Sequence, residues 1–407
     1  MKSRKIPLGG LLTAAGIISL LAGLQQCPQA QSQRRQADLQ IETVGKFDQL
    51  PPRGIAISRD GRIFLSFPRG QKPADYTVAE LKEGKTSPYP DAQLNRLDLV
   101  HPQQVLVSAT SMAIDSKNRL WILDNGRVGR TAVPGAAKIL AIQIETGAVI
   151  KTIPLDKEVM TPDTMLCDLE IYLSRGTPET AIISASSLRG ANGFIVTDLA
   201  TGKSMRRLNQ HASVSPESNY VVFAEGRMVR LGNKEDAKQD WTPGVFGLAI
   251  NAKRDKLYYS SVASQQIFQV DLDKLCNPRV AETDVEKTVK RLGFKAAPST
   301  GMECDNKDTL YLADIEHSAI WRRLANGELE MVARGDQLSY PDHLCLGNDG
   351  YLYVTSSQFH RSPWFHAGHD ERVPPFELLR VPVAANNSPT MSPGSQAQEA
   401  SSSKAKP

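Results

Sequence analysis

The chain is poor in nearly every feature that marks a specialised class. Its charge is close to balanced: 48 basic residues against 44 acidic ones give +4, and Lys2, Arg4 and Lys5 stand in an N-terminal stretch with no acidic residue. Without those three the excess is +1, which is no electrostatic footprint for nucleic acid. Cysteine is scarce, five in 407 residues, and no Cys-x-x-Cys occurs. This excludes a disulfide miniprotein and speaks against a zinc ribbon or a dithiol redox pair. After position 24 no apolar run approaches the ~20 residues that span a bilayer. Gly-x-Ser-x-Gly and His-Glu-x-x-His are missing too, so spacing alone nominates no catalytic residue. Long amphipathic helical stretches are also lacking. With 41% apolar residues, the chain can still bury a sizeable core.

What is present begins with a stretch that reads as an export signal. Three basic residues precede residues 6–24, which carry no charge, and a Gln-rich stretch follows with a small-x-small site at Ala30-Gln31-Ser32. That order predicts a signal peptide over residues 1–32 and a secreted or periplasmic protein. A retained anchor, or lipidation at Cys27, is the alternative. Cys167, Cys276, Cys304 and Cys345 then remain, and either disulfides or small buried hydrophobes fit them.

A repeat organises the rest. GIAISRDGRIFLSF (54–67), SMAIDSKNRLWILD (111–124), GMECDNKDTLYLAD (301–314) and HLCLGNDGYLYVTS (343–356) share a small or polar start, an apolar run, a turn and a second apolar run. Residues 247–260 fit with one extra residue and residues 168–185 with a longer turn. Both halves of each copy read as strands. Hairpins of a second kind lie between copies, at 139–153, 194–208 and 320–333, with Thr-Gly or Asn-Gly at the bend. Two hairpins per copy and six copies predict an all-β, six-bladed β-propeller of four-stranded antiparallel blades over residues 33–383. A strand at 39–47 should share a blade with 376–383 and close the ring. Residues 384–407, rich in Ser, Ala and Pro, predict a disordered tail.

Residues 245–275, LWILDNG (120–126), residues 299–314, LYVTSSQF (352–359) and PFELLRV (375–381) resemble the yellow and major royal jelly protein family, in consistent order from about residue 40 to 383. The resemblance implies an extracellular six-bladed propeller. It leaves function open, because members bind biogenic amines, are linked to dopachrome conversion, or have no assigned chemistry. The related gluconolactonases hold a divalent metal with a Glu, two Asn and an Asp at the starts of inner strands. Aligning the repeats puts Arg53, Thr110, Phe246 and Thr300 there, a poor set for a hard cation. A different metal arrangement through Asp168 and Asp342 is the remaining option. No metal ligand is therefore assigned and no cofactor expected.

Two further motifs carry little. Residues 199–204 (LATGKS) resemble the end of a phosphate loop, but Thr197 stands where a Gly is required. His360, His366 and His369 with Asp370, between Phe359 and the closing strand, read as a solvated or lid-like loop, with a metal site as the alternative. The site is then expected at the mouth of the central channel, where inner-strand ends and loops form a concavity. Candidate ligand-binding residues are Phe246, Asp342, Ser357, Phe359, Asp168 and Arg53. In amine-binding relatives comparable stretches supply aromatic walls, and Asp342 would pair with an ammonium. Ser357 departs from the Asn common in the family. The expected partner is a small organic molecule, amine or aromatic. An enzyme of the same fold (tautomerase, isomerase or divergent lactone hydrolase) and an envelope interaction module are the alternatives.

Overall fold

The computed structural model describes residues 41–70, 74–173, 179–232 and 239–383. The signal expected over 1–32 and the tail expected over 384–407 lie outside them. Every repeat copy forms the hairpin expected of it. In chain order the first strands are Ile55–Ile57, Ala109–Ile114, Met165–Tyr172, Val245–Ile250, Met302–Cys304 and Pro341–Leu346, and each opens a four-stranded antiparallel sheet. These sheets are blades one to six of a six-bladed β-propeller. Consecutive first strands touch one another, and that of blade six touches that of blade one, so these strands ring the central axis.

In four copies the turn is held by its own polar side chain. Asp115 accepts from the backbone of Lys117 and Arg119, Asp305 from Lys307 and Thr309, and Asn251 from Asp255 and Lys256. Ser58 occupies the same place in blade one and accepts from the Arg62 amide. A short acceptor reaching its own backbone a few residues on is the physical reason for Asp, Asn or Ser at that offset.

Packing follows the period of two. Leu120 and Ile122 enter the layer between blades one and two, whereas Trp121 and Leu123 enter the layer between two and three. The third strand of the blade splits likewise, Leu140 and Ile142 on one side, Ile139 and Ala141 on the other. Every blade is covered on both faces, so its inner strands read largely as apolar runs instead of polar–apolar alternation, and only the outer strand is exposed. Closure is by the chain ends: Glu42–Phe47 pairs antiparallel with Phe376–Pro382 as the outer strand of blade six. None of the four cysteines forms a disulfide; Cys167, Cys276 and Cys304 are buried and Cys345 is half-buried. Among the described residues no helix is long and apolar enough to cross a membrane.

Candidate functional site

The residue just before each repeat start stands at the head of an inner strand. Going round the ring these are Arg53, Thr110, Cys167, Phe246, Thr300 and Asp342. In four blades the strand register shifts there, between Ala109 and Ser111, Leu166 and Leu169, Val245 and Leu248, and Pro341 and Leu344. A bulge leaves a residue unpaired and re-aims its side chain. All of the ring except Thr300 lines a cavity of about 520 Å³ at this mouth.

One side of the cavity is aromatic. The Phe359 ring centroid lies 5.6 Å from Tyr340, 6.1 Å from Trp241 and 5.6 Å from Trp364, in edge-on or tilted geometry. The Arg53 guanidinium lies over the Phe246 ring, 5.4 Å from its centroid. Its Nε is 3.6 Å from Asp342 Oδ1, and Asp342 Oδ2 accepts from the Ser357 hydroxyl at 3.0 Å. Four of the six candidate residues (Arg53, Phe246, Asp342 and Ser357) thus form one connected group, with Phe359 on the same cavity wall.

Electrostatics in this group are set by burial. Burial pulls the Arg53 pKa down, but Asp342, Cys167 and Asp168 outweigh it and hold the arginine above its ordinary value. Burial raises the Cys167 thiol to about 12 against the pull of Arg53, so this cysteine is a neutral wall and no nucleophile. The Tyr340 hydroxyl is likewise pushed well above its usual value, mainly by burial and then by Asp342. Tyr340 Oη and Asp342 Oδ1 are buried without a hydrogen-bond partner. Two such atoms beside one cavity are a cost that a bound polar group would remove.

Asp168 lies elsewhere. It lines a second cavity of about 150 Å³, with Glu170, Glu303, Arg254 and His343. Its carboxylate accepts from the Ser111 hydroxyl of blade two and the Leu248 amide of blade four, at 2.9 and 3.0 Å, and so ties three blades together. Asp168 and Asp342 therefore line different cavities. The hydroxyls of Thr110 and Thr300 donate to the Leu166 and Pro341 carbonyls of the next blades. Among the described residues no group of three or more His, Cys, Asp or Glu is placed to hold a metal ion.

The histidine-bearing loop packs across the mouth. His360 is stacked on Tyr340, and its Nε2 lies 2.9 Å from Glu225; His366 Nε2 meets the His360 carbonyl oxygen at 3.0 Å. Ser362, Pro363 and Trp364 of this loop line the cavity. Sequence reasoning passed over several other lining residues. Cys167 has the same repeat offset as its neighbours in the ring and was within reach. Arg127 and Arg130 belong to a small hairpin, Arg127–Val128 with Thr131–Ala132, signalled only by Gly129. Trp241 follows an irregular insertion between blades three and four and had no repeat to betray it.

The family model for Major royal jelly protein matches residues 107–378, which is most of blades two to six. The chain belongs to the major royal jelly protein family. It is 23% identical to Major royal jelly protein 3 of Apis mellifera over 253 residues, covering 60% of this chain and 43% of that one. Dopaminechrome tautomerase of Drosophila melanogaster is 21% identical over 320 residues, 70% of this chain and 66% of its own. The aligned part therefore spans 43% to 66% of these relatives. Among solved structures, a luciferin-regenerating enzyme superposes with TM-score 0.52 at 12% identity, over 86% of this chain and 98% of that chain, a likeness of fold.

The family stretch LWILDNG has a structural job in this member. Asp124 accepts from the amides of Val107, Ser108 and Gly126 and meets Lys138 Nζ at 2.6 Å, with both side chains fully buried. A Cβ on Gly126, whose φ is +64°, would stand 2.4 Å from the Ala137 amide nitrogen. Only glycine fits there.

Proposed function

We propose that this family member is an exported binding protein that takes a small aromatic organic molecule into the cavity at the channel mouth. The observation that carries the reading is the cavity itself. Its volume of about 520 Å³ falls in the range of small-molecule sites, and it combines aromatic walls with Tyr340 Oη and Asp342 Oδ1, which have no hydrogen bond. Phe246, Phe359, Trp241 and Trp364 offer apolar contact, and the two polar atoms offer orientation. Export rests on the basic, apolar and polar order of the first 32 residues. Asp342 is matched by Arg53, so an ammonium would have to compete for it; the aromatic walls, more than this carboxylate's charge, support the reading.

Calorimetric titration with phenolic and indolic compounds is the test. Phe359→Ala should weaken whichever compound binds by about 1–3 kcal/mol through lost apolar contact. Wild-type protein that binds none of them at millimolar concentration rejects the reading.

A second reading is catalytic, favoured by one feature: a cavity-lining carboxylate, Asp342, with one buried oxygen that has no hydrogen bond. Such an oxygen could carry a proton between two positions of a bound quinonoid compound. The relative named dopaminechrome tautomerase makes dopaminechrome the compound to try. Turnover abolished by Asp342→Asn supports this second reading, and no turnover removes it.

A further inference from the structure

The cavity is unbalanced in charge. Five arginines line it, Arg53, Arg69, Arg127, Arg130 and Arg372, against a single carboxylate, Asp342. Two of the five are neutralised: Arg53 faces Asp342, and Arg372 makes a two-pronged pair with Asp370 at 2.8 and 2.9 Å. The other three are held in a different way. Arg69 is buried and donates to the backbone carbonyls of Ala74 and Asn95. Arg127 donates to the carbonyls of Pro162 and Arg130, and the Arg130 guanidinium lies over the Trp364 ring at 5.5 Å. Among the described residues none of these three has a carboxylate within ion-pair distance. Asp124 and Asp75 act on Arg69 through space without pairing with it, and Asp124 is paired with Lys138; Asp163, which acts on Arg127, lies 3.9 Å from the exposed Arg189.

Two more observations point the same way. The Nε atoms of Arg69 and Arg127 are buried with no hydrogen-bond partner, as is the Ser362 hydroxyl on the opposite loop. With Tyr340 Oη and Asp342 Oδ1, five of the eleven such atoms among the described residues belong to residues lining this one cavity. Burial also pulls both arginines below the ordinary guanidinium value, so each charge is held at a cost that an anion would offset. Guanidinium forks match carboxylate geometry, and the aromatic wall lies beside them.

We infer that the ligand of this mouth is an aromatic acid: a ring that seats against Phe246, Phe359 and Trp364, carrying a carboxylate that engages Arg127 and Arg130, with Arg69 beneath. The inference rests on the binding reading above and assigns the charge of the ligand. It also gives the hairpin Arg127–Val128 and Thr131–Ala132 a task, since its two-residue turn of Gly129 and Arg130 presents a guanidinium at the rim.

The experiment compares three probes with one phenolic ring and different tails: 3-(4-hydroxyphenyl)propionate, its neutral amide, and tyramine. Binding is measured by calorimetry at low and at physiological ionic strength. The carboxylate should bind about tenfold tighter than the amide, and the gap should narrow with salt. Arg130→Gln and Arg127→Gln should each cut carboxylate affinity several-fold and leave the amide unchanged. Asp342→Asn should tighten the carboxylate, because it frees Arg53. Arg130 is exposed, so its variant stays informative if Arg127→Gln does not fold. Amide or tyramine binding as tightly as the carboxylate overturns the inference and leaves the binding reading standing. No binding by any of the three at millimolar concentration also overturns the inference, and the indolic titrations above then decide the binding reading.

Discussion

At the scale of single residues, the buried charges of this propeller divide into those that build it and those that respond to pH. Lys138 and Asp124 belong to the first kind. Their side chains are fully buried 2.6 Å apart, and Lys138 also donates to the carbonyls of Pro102 and Ala136. Removing one partner strands the other, so Lys138→Met or Asp124→Asn should destabilise by about 3–5 kcal/mol in urea melts. A loss below about 1 kcal/mol would show that water reaches the site. Glu303 belongs to the second kind. It lines the small cavity beside Asp168 and Glu170, and burial first of all pushes its pKa from 4.5 up to about 7. The unfolded chain releases this proton near pH 4.5 and the folded one only near 7, so stability falls as pH rises across that window and is flat above it. Glu303→Gln removes the titration. The variant should lose less melting temperature between pH 4.5 and 7 than wild type, and gain about 1–3 kcal/mol relative to it at pH 8.

At the scale of elements, glycine decides how near the inner strands can come to one another. Gly54, Gly247 and Gly301 open three of the six repeat copies. A Cβ on Gly301 would stand 2.4 Å from the Asp342 carbonyl oxygen, and one on Gly247 would stand 2.8 Å from that of Thr300. These contacts are to backbone, which cannot swing aside. Gly301→Ala should therefore cost about 1–3 kcal/mol and shift Asp342, with a fall in ligand affinity. Gly70→Ala is the control: it meets nothing within 4 Å and should change the melting temperature little. An equal effect of both substitutions would refute the close-approach explanation. The same element arithmetic accounts for the site. Four bulges lie where inner strands begin, and those at Thr110, Phe246 and Asp342 release side chains toward the mouth that a regular strand would place in a blade interface.

At the scale of the whole molecule, the ring is closed by one strand. Glu42–Phe47 lies on the outer edge of blade six in register from Glu42 opposite Arg380 to Phe47 opposite Phe376, and Phe47 packs with Leu65 and Phe67 of blade one. A chain starting at residue 48 loses that pairing and uncovers the edge of Phe376–Pro382. It should melt at lower temperature and aggregate on heating, as light scattering would record. Unchanged melting would mean that blade six is sufficient with three strands. Arg53 and Phe246 stand at two of the positions where lactonases would place oxygen ligands, so saturating calcium should leave the melting temperature unmoved. A specific site filled at 100 times its Kd would add about 2.7 kcal/mol, which a thermal melt detects.

The sequence by itself determined the architecture. Hairpins, their turns, the six-fold recurrence and the closing strand are local patterns, fixed by a period of two and by side chains that reach their own backbone. The offset one residue before each copy was equally legible, and it leads to Arg53, Thr110, Phe246 and Asp342. The tertiary structure decided what those residues do. Arg53 and Asp342 are 289 positions apart, and only ring closure brings them to 3.6 Å. Asp168 and Asp342 look interchangeable as acids near inner strands. The bulges that hold them have the same register, but Asp342 stands one residue before its copy and faces the large cavity, whereas Asp168 opens its copy, turns to the other cavity beside His343 and bridges blades two, three and four. The arginine excess was hidden for the same reason. Arg69, Arg127, Arg130 and Arg372 come from blade-linking segments and a short hairpin with no repeat of their own, and the charge of a cavity is a sum that exists only after the chain has closed.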